Sequence, residues 1–117
     1  MKETNILKGR YGEEIAVKFL CDKGYDILKR NYRAVRGEID IIAQNNGYVV
    51  FVEVKYREQI KYGYPSESVT TAKCANIRQV AKHYILCEYG HEVDSRFDVI
   101  EILNRGKLEI NHLEGAF

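Results

Sequence analysis

The dipeptide Asn46-Gly47, preceded by Asn45, constrains the fold of this chain more than any other feature. Asn-Gly is the favoured centre of a two-residue hairpin turn. Both positions need positive φ, which Gly adopts freely and Asn tolerates. The flanks suit that turn. Glu38-Ile39-Asp40-Ile41-Ile42-Ala43 begins by alternating acid with Ile, and Tyr48 to Tyr56 is rich in the Val and Phe that strands favour. An antiparallel hairpin is therefore predicted.

Residues two apart on a strand share a face. Glu53 and Lys55 thus point the same way as Val49 and Phe51, while Val50, Val52 and Val54 point the other way. Strands that are apolar on both faces are commonly buried, and an acid is rarely buried without a partner. Glu53 needs a reason to be there. With Asn46-Gly47 at the turn centre, Ala43 opposes Val50, Ile41 opposes Val52, Asp40 opposes Glu53 and Glu38 opposes Lys55. Opposed side chains have Cβ atoms about 4.5–5.5 Å apart. Two carboxylates at that spacing repel, and a hard divalent cation between them turns repulsion into coordination. A neighbouring lysine would orient an attacking water and stabilise charge on a phosphate. Phosphoryl transfer asks mainly for positioning and charge stabilisation. The same residues also suit a surface salt-bridge ladder, Glu38 with Lys55 and Asp40 near solvent. Spacing leaves both readings open.

Gly9 to Lys23 reads as a helix with a stripe of Ala16, Phe19, Leu20 and Cys21, stopped by Gly24. Glu13 shares its inward side, either as an acid reaching the hairpin site or as one favoured by the helix dipole. Glu14 faces Lys18 at i+4. Tyr25 to Tyr32 is a predicted strand, and Arg57 to Pro65 a polar loop carrying Tyr62 and Tyr64. A long helix is predicted from about Ser68 to Tyr89, with Ala72, Ala75, Ile77, Val80, Ala81, Tyr84 and Ile85 inward. Strands over 97–103 and 107–113, joined at Asn104-Arg105-Gly106, complete the chain. Asp98 reads as structural, paired with Arg96. Helices packed on a mixed sheet of about five strands, α/β (α+β) in class, form the natural layered solution. With 117 residues, a single domain over 1–117 is expected.

Net charge is only +1, so nucleic-acid affinity would have to come from local clusters such as Lys29, Arg30, Arg33 and Arg36, which otherwise form a solvated face. Cys21, Cys74 and Cys87, with His83, His91 and His112, show no zinc-ligand spacing. Cys21 and Cys87 read as small core residues. Met1 to Asn5 leads into two apolar residues before Lys8, unlike a secretory leader, and no apolar run approaches the roughly 20 residues of a membrane span. A cytoplasmic protein without membrane contact is expected.

Taken in order, these motifs resemble the YraN family, small bacterial proteins grouped with the PD-(D/E)xK nuclease superfamily and its restriction-endonuclease-like fold. The matching residues are Gly9-Arg10-Tyr11-Gly12-Glu13 with Ala16, Phe19-Leu20, Gly24-Tyr25, Asn31-Tyr32-Arg33 and Gly37-Glu38-Ile39-Asp40-Ile41-Ile42. Val50-Phe51-Val52-Glu53-Val54-Lys55, Arg57, Tyr62-Gly63 with Pro65, Lys73, Arg96-Phe97-Asp98-Val99 and Ala116-Phe117 continue the series almost to both ends of the chain. An isolated ExK is weak; the ordered series is specific. Ile39 stands where the superfamily's name puts proline, a position that varies.

The resemblance implies a three-layer fold and a DNA endonuclease, acting on branched or single-stranded structures and dependent on Mg²⁺ or Mn²⁺. Asp40 and Glu53 would hold the metal, with the Val54 carbonyl as a further ligand. Lys55 would orient the water, and Glu13 would support the metal as in resolvase-like nucleases. Arg10, Arg33, Arg36, Arg57 and Lys73 are the candidate phosphate contacts. Many such nucleases pair to cut both strands, so a homodimer is compatible. The alternatives are a non-catalytic nucleic-acid-binding module and a protein-interaction adaptor on the same scaffold.

Overall fold

The computed structural model describes residues 2–58 and 70–117, with side chains described from Gly9 onward. Its elements are α1 (Lys2–Asp22), β1 (Asp26–Ala34), β2 (Gly37–Asn45), β3 (Tyr48–Arg57), α2 (Thr71–Tyr89), β4 (Ser95–Asn104) and β5 (Leu108–Leu113). The strands form one sheet in the order β1-β2-β3-β4-β5, parallel between β3 and β4 and antiparallel elsewhere. A parallel pair cannot be closed by a hairpin and needs a crossover, which contains α2.

Both faces of the sheet are apolar, and a helix covers each. Ala16 and Leu20 of α1 pack on Ile41, Val50, Val52 and Ile100. Ile77, Val80, Ala81 and Tyr84 of α2 pack on Ile39, Ile42, Val49 and Phe51. Burial of β3 on both sides follows from its place at the centre of the sheet, between the two helical layers. This is the expected restriction-endonuclease-like three-layer arrangement. Among the described residues, no helix is long and apolar enough to cross a membrane.

The predicted turn forms. Asn46 and Gly47 have φ of 49° and 83°, and Asn45 stands opposite Tyr48. The ladder then runs in the predicted register through Ala43–Val50 to Ile41–Val52, where it stops. The expected Asp40–Glu53 and Glu38–Lys55 pairs are absent from it. In their place the Val54 N–H donates to Asp40 Oδ2 at 2.8 Å, so a carboxylate takes a hydrogen bond that a strand would give to a carbonyl. The strand itself is irregular here. Ile39 and Ile42 both pack on the α2 side while Ile41 packs on the α1 side, a sequence of faces no regular strand produces. On β1, Asn31 lies between the pairs Arg30–Ile41 and Tyr32–Ile39 with a positive φ of 52°.

Several details differ from expectation. α1 begins at Lys2, not Gly9, because one glycine costs a helix only about 1 kcal/mol and does not end it. Cys21 and Cys87 are exposed while Cys74 is buried. Cys21 follows the buried Leu20 by about 100° of helical turn and so leaves the packed face. On α2 the buried stripe is Cys74, Ile77, Val80, Ala81 and Tyr84, leaving Ala72 and Ala75 exposed. Glu14 pairs with Arg30 at 2.7 Å, and Lys18 with Asp22 at 3.0 Å. Tyr62, Tyr64, Pro65 and the predicted helix start at Ser68 lie outside the described residues.

The Arg96–Asp98 pair forms as predicted, with Arg96 Nε 2.9 Å from Asp98 Oδ1. Asp98 is fully buried and also accepts from the Gly115 N–H and contacts His112 Nε2 at 2.7 Å. Burial opposes its charge, yet these donors outweigh burial and hold its pKa below the ordinary value. Asp98 thereby fastens β5 and the C-terminal residues to the sheet.

Two glycines of α1 separate propensity from packing. A Cβ on Gly9 would meet nothing within 4 Å, whereas one on Gly12 would lie 2.8 Å from Tyr56 Cβ, where α1 crosses β3. Gly9→Ala should stabilise by about 0.5–1 kcal/mol. Gly12→Ala should destabilise by about 1–3 kcal/mol despite the same gain in propensity. Urea denaturation of both variants checks this, and equal shifts would contradict the close approach.

Candidate functional site

Where β2 and β3 stop pairing, β3 continues to pair with β4 on its other side, through Glu53–Val99 and Lys55–Glu101. The backbone of β3 is therefore held while its β2 flank opens. Asp40, Glu53 and Lys55 gather at that opening.

Glu53 is 6% exposed. Its Oε1 lies 2.5 Å from Lys73 Nζ and 3.4 Å from Lys55 Nζ. The salt-bridge ladder considered from the sequence does not form, because Lys55 pairs with Glu53 on its own strand while Glu38 pairs with Arg33 at 2.9 Å. Lys73 arrives from the first turn of α2, whose N-cap Thr70 accepts the Lys73 N–H through its side chain. The helix is thus fixed at the residue that reaches the acid.

Asp40 is under electrostatic strain. Burial and the neighbouring Glu53 charge push its pKa up to about 7, with Glu13 adding to the rise. The Val54 N–H and Lys73 pull the other way without cancelling it. Glu13 is also shifted upward, first by burial and then by Glu38 and Glu53. A hydrogen bond from Asn31 and the charge of Arg30 oppose the shift. Glu13, Asp40 and Glu53 therefore feel one another's charge. On the basic side, burial and the adjacent Lys73 lower the Lys55 pKa against the pull of Glu53. Burial also disfavours charge on Lys73, but the hydrogen bond to Glu53 outweighs it and the net shift is upward.

The predicted site residues thus divide. Asp40, Glu53, Lys55 and Lys73 come together, and Glu13 joins them through its field. Arg33 is engaged with Glu38, Arg57 is half-buried at the end of β3, and Arg10 and Arg36 are exposed. Lys73 was expected on phosphate, not on an acid. A signal for its place existed. It is a cation in the first turn of a helix that has no acid there, where the dipole disfavours positive charge unless something else holds it. Glu101, 3% exposed and beside Lys55 across β3–β4, is not among the predicted site residues. Nor is Asn31, although asparagine inside a strand pattern is an αL candidate.

Carboxylate oxygens in mutual repulsion suit a hard cation. In the arrangement described, no three His, Cys, Asp or Glu side chains among the described residues are grouped to hold one. Glu53 faces the two ammonium groups instead. The donor chemistry of Asp40 and Glu53 fits Mg²⁺ or Mn²⁺, provided that Glu53 exchanges a lysine for the ion.

The strain on Asp40 has a measurable sign. A carboxyl whose folded pKa lies above its unfolded value binds more protons folded than unfolded, so Asp40's contribution to stability falls as pH rises from about 4 to about 7. Asp40→Asn keeps an oxygen for the Val54 N–H and removes the charge. In EDTA, its Tm should match the wild type near pH 4 and exceed it at pH 8. The expected gain is a few degrees, for at least about 1 kcal/mol. A lower Tm for the variant at pH 8 would contradict the assigned strain.

The chain belongs to the uncharacterised protein family UPF0102, the YraN family of the resemblance, which matches residues 12–102. That span includes Glu13, Asp40, Glu53, Lys55 and Lys73. A UPF0102 protein of Clostridioides difficile is 48% identical over 97% of this chain and 99% of its own length. One from Alkaliphilus oremlandii is 50% identical over 93% and 96%, and one from Clostridium perfringens 42% identical over 100% and 98%.

Proposed function

We propose, taking membership of UPF0102 as the premise, that this chain is a metal-dependent endonuclease. It would hydrolyse phosphodiester bonds in DNA, with branched or single-stranded structures as its targets. The observation that supports this best is the opening between β2 and β3, where buried Glu53 and strained Asp40 meet beside two lysines.

Asp40 and Glu53 would hold Mg²⁺ or Mn²⁺, with the Val54 carbonyl completing the set and Glu13 in support. When bound, the ion supplies a water of lowered pKa and neutralises phosphate oxygens. The chain's own residues do the positioning. Lys55, 17% exposed, is held by burial and by Glu53, and orients the attacking water. The Asp40–Val54 hydrogen bond fixes the carboxylate against the strand that carries Glu53. Arg10, Arg33, Arg36, Arg57 and Lys73 contact phosphates, the sequence-independent part of binding. Water oxygen bonds to phosphorus as the bond to the leaving sugar oxygen breaks; the water gives up a proton to solvent, and the leaving oxygen takes one from solvent. The protein would act in the cytoplasm, and pairing of two copies would serve cutting of both strands.

One observation favours a second reading. Glu53 is occupied by both lysines, as in a site that binds nucleic acid without cleaving it. That module would bind DNA in EDTA, with a salt dependence unaffected by Glu53→Gln.

Linear, nicked, flapped and four-way DNA incubated with Mn²⁺ separate the two. The nuclease reading expects cleavage by the wild type and a loss of at least about 100-fold in Asp40→Asn, with binding little changed. Equal cleavage by both proteins would reject Asp40 as a catalytic residue.

A further inference from the structure

The ion pair between Lys73 and Glu53 does not belong to the three-residue site described by the superfamily motif. Lys73 is 41% exposed, whereas Glu53 is only 7% exposed at its side chain. The lysine therefore has access to solvent and can swing away, while the acid is fixed. Their N–O distance of 2.5 Å is the shortest of the salt bridges among the described residues, and Lys55 approaches the same oxygen at 3.4 Å. Two ammonium groups converge on one carboxylate oxygen in a half-buried place, although like charges repel. Lys73 also sits in the first helical turn, where the dipole opposes it. Among the described residues, Glu53 holds it there by direct contact and Asp40 through its charge.

We infer that Lys73 is a tethered counter-ion, occupying Glu53 until a divalent ion displaces it. The inference rests on the metal-site reading of Asp40 and Glu53. A cation bound by Glu53 would stand next to the Lys73 ammonium, and the two positive charges exclude one another. Binding of the ion therefore releases Lys73. Its freed ammonium lies at the N-terminal end of α2, whose dipole favours the negative phosphate of a nucleic acid. Lys73 is thus a positioning residue with two stations. On Glu53 it neutralises a buried acid when the ion is absent. Off Glu53 it becomes a phosphate contact when the ion is present. Metal and DNA binding become coupled: each favours the state in which Lys73 has left the acid.

Calorimetric titration of Mn²⁺ into the wild type, Lys73→Met, Lys73→Arg and Lys82→Met tests this without any turnover. Lys82 is exposed further along α2 and serves as the control for loss of one positive charge. Lys73→Met should bind Mn²⁺ about tenfold more tightly than the wild type. Lys73→Arg should retain weak binding, and Lys82→Met should stay within about twofold of the wild type. In EDTA, Lys73→Met should melt below the wild type, and Mn²⁺ should raise its Tm by more. Binding by Lys73→Met alone, with the wild type silent, would also support the exchange. Equal or weaker Mn²⁺ binding by Lys73→Met beside a binding wild type would overturn the counter-ion role and leave the metal site standing. Silence from all four proteins at millimolar Mn²⁺ would overturn the metal site and the exchange with it.

Discussion

The hydrogen bond from the Val54 N–H to Asp40 Oδ2 is the contact on which the site depends. An N–H in the middle of a sheet must find an acceptor. Had it found a β2 carbonyl, the hairpin would have continued and Asp40 and Glu53 would be ordinary cross-strand neighbours. Supplying the acceptor from a side chain lets β2 leave the ladder without orphaning the amide. β4 meanwhile pairs with β3 in unbroken register from Val49 to Arg57. A rigid strand on one side and a released one on the other create an opening lined by fixed side chains. Of the side chains there, Glu53 is buried and Asp40 and Lys55 are half-buried.

Charge explains what that opening does. Acids that would repel one another are gathered there, and burial raises the cost of each charge. Asp40 bears this as a pKa raised to about 7, and Glu53 meets it with two lysines. Asp98, on β4, shows the contrasting solution. It is more deeply buried, yet Arg96, His112 and the Gly115 N–H satisfy it and hold its pKa down. One acid is saturated with donors and fastens the C-terminal residues. The other is left under strain at an opening. Perturbed, incompletely satisfied groups mark functional sites more often than saturated ones do.

Much of this was legible in the sequence. Asn46-Gly47 set the turn and the register as far as Ile41–Val52, and the alternation on β3 placed Glu53 and Lys55 on one side. The Arg96–Asp98 pair was visible from spacing. What the sequence concealed lay in tertiary contacts and local irregularity. Periodicity assumes a regular strand, so it carried the ladder on through Asp40–Glu53, where a side chain had replaced the carbonyl. Helical spacing gave α2 a stripe through Ala72 and Ala75 because small apolar residues look alike on either side. The contact from Lys73 to Glu53 joins residues far apart in the chain, and only the packing of α2 against the sheet brings them together.

Crystals soaked in Mn²⁺ and measured for anomalous scattering test whether Asp40 and Glu53 hold a divalent ion. An anomalous peak is expected between the two carboxylates, with the Lys73 ammonium moved off Glu53. A site without anomalous density at saturating Mn²⁺, with Lys73 still on Glu53, would contradict the metal site.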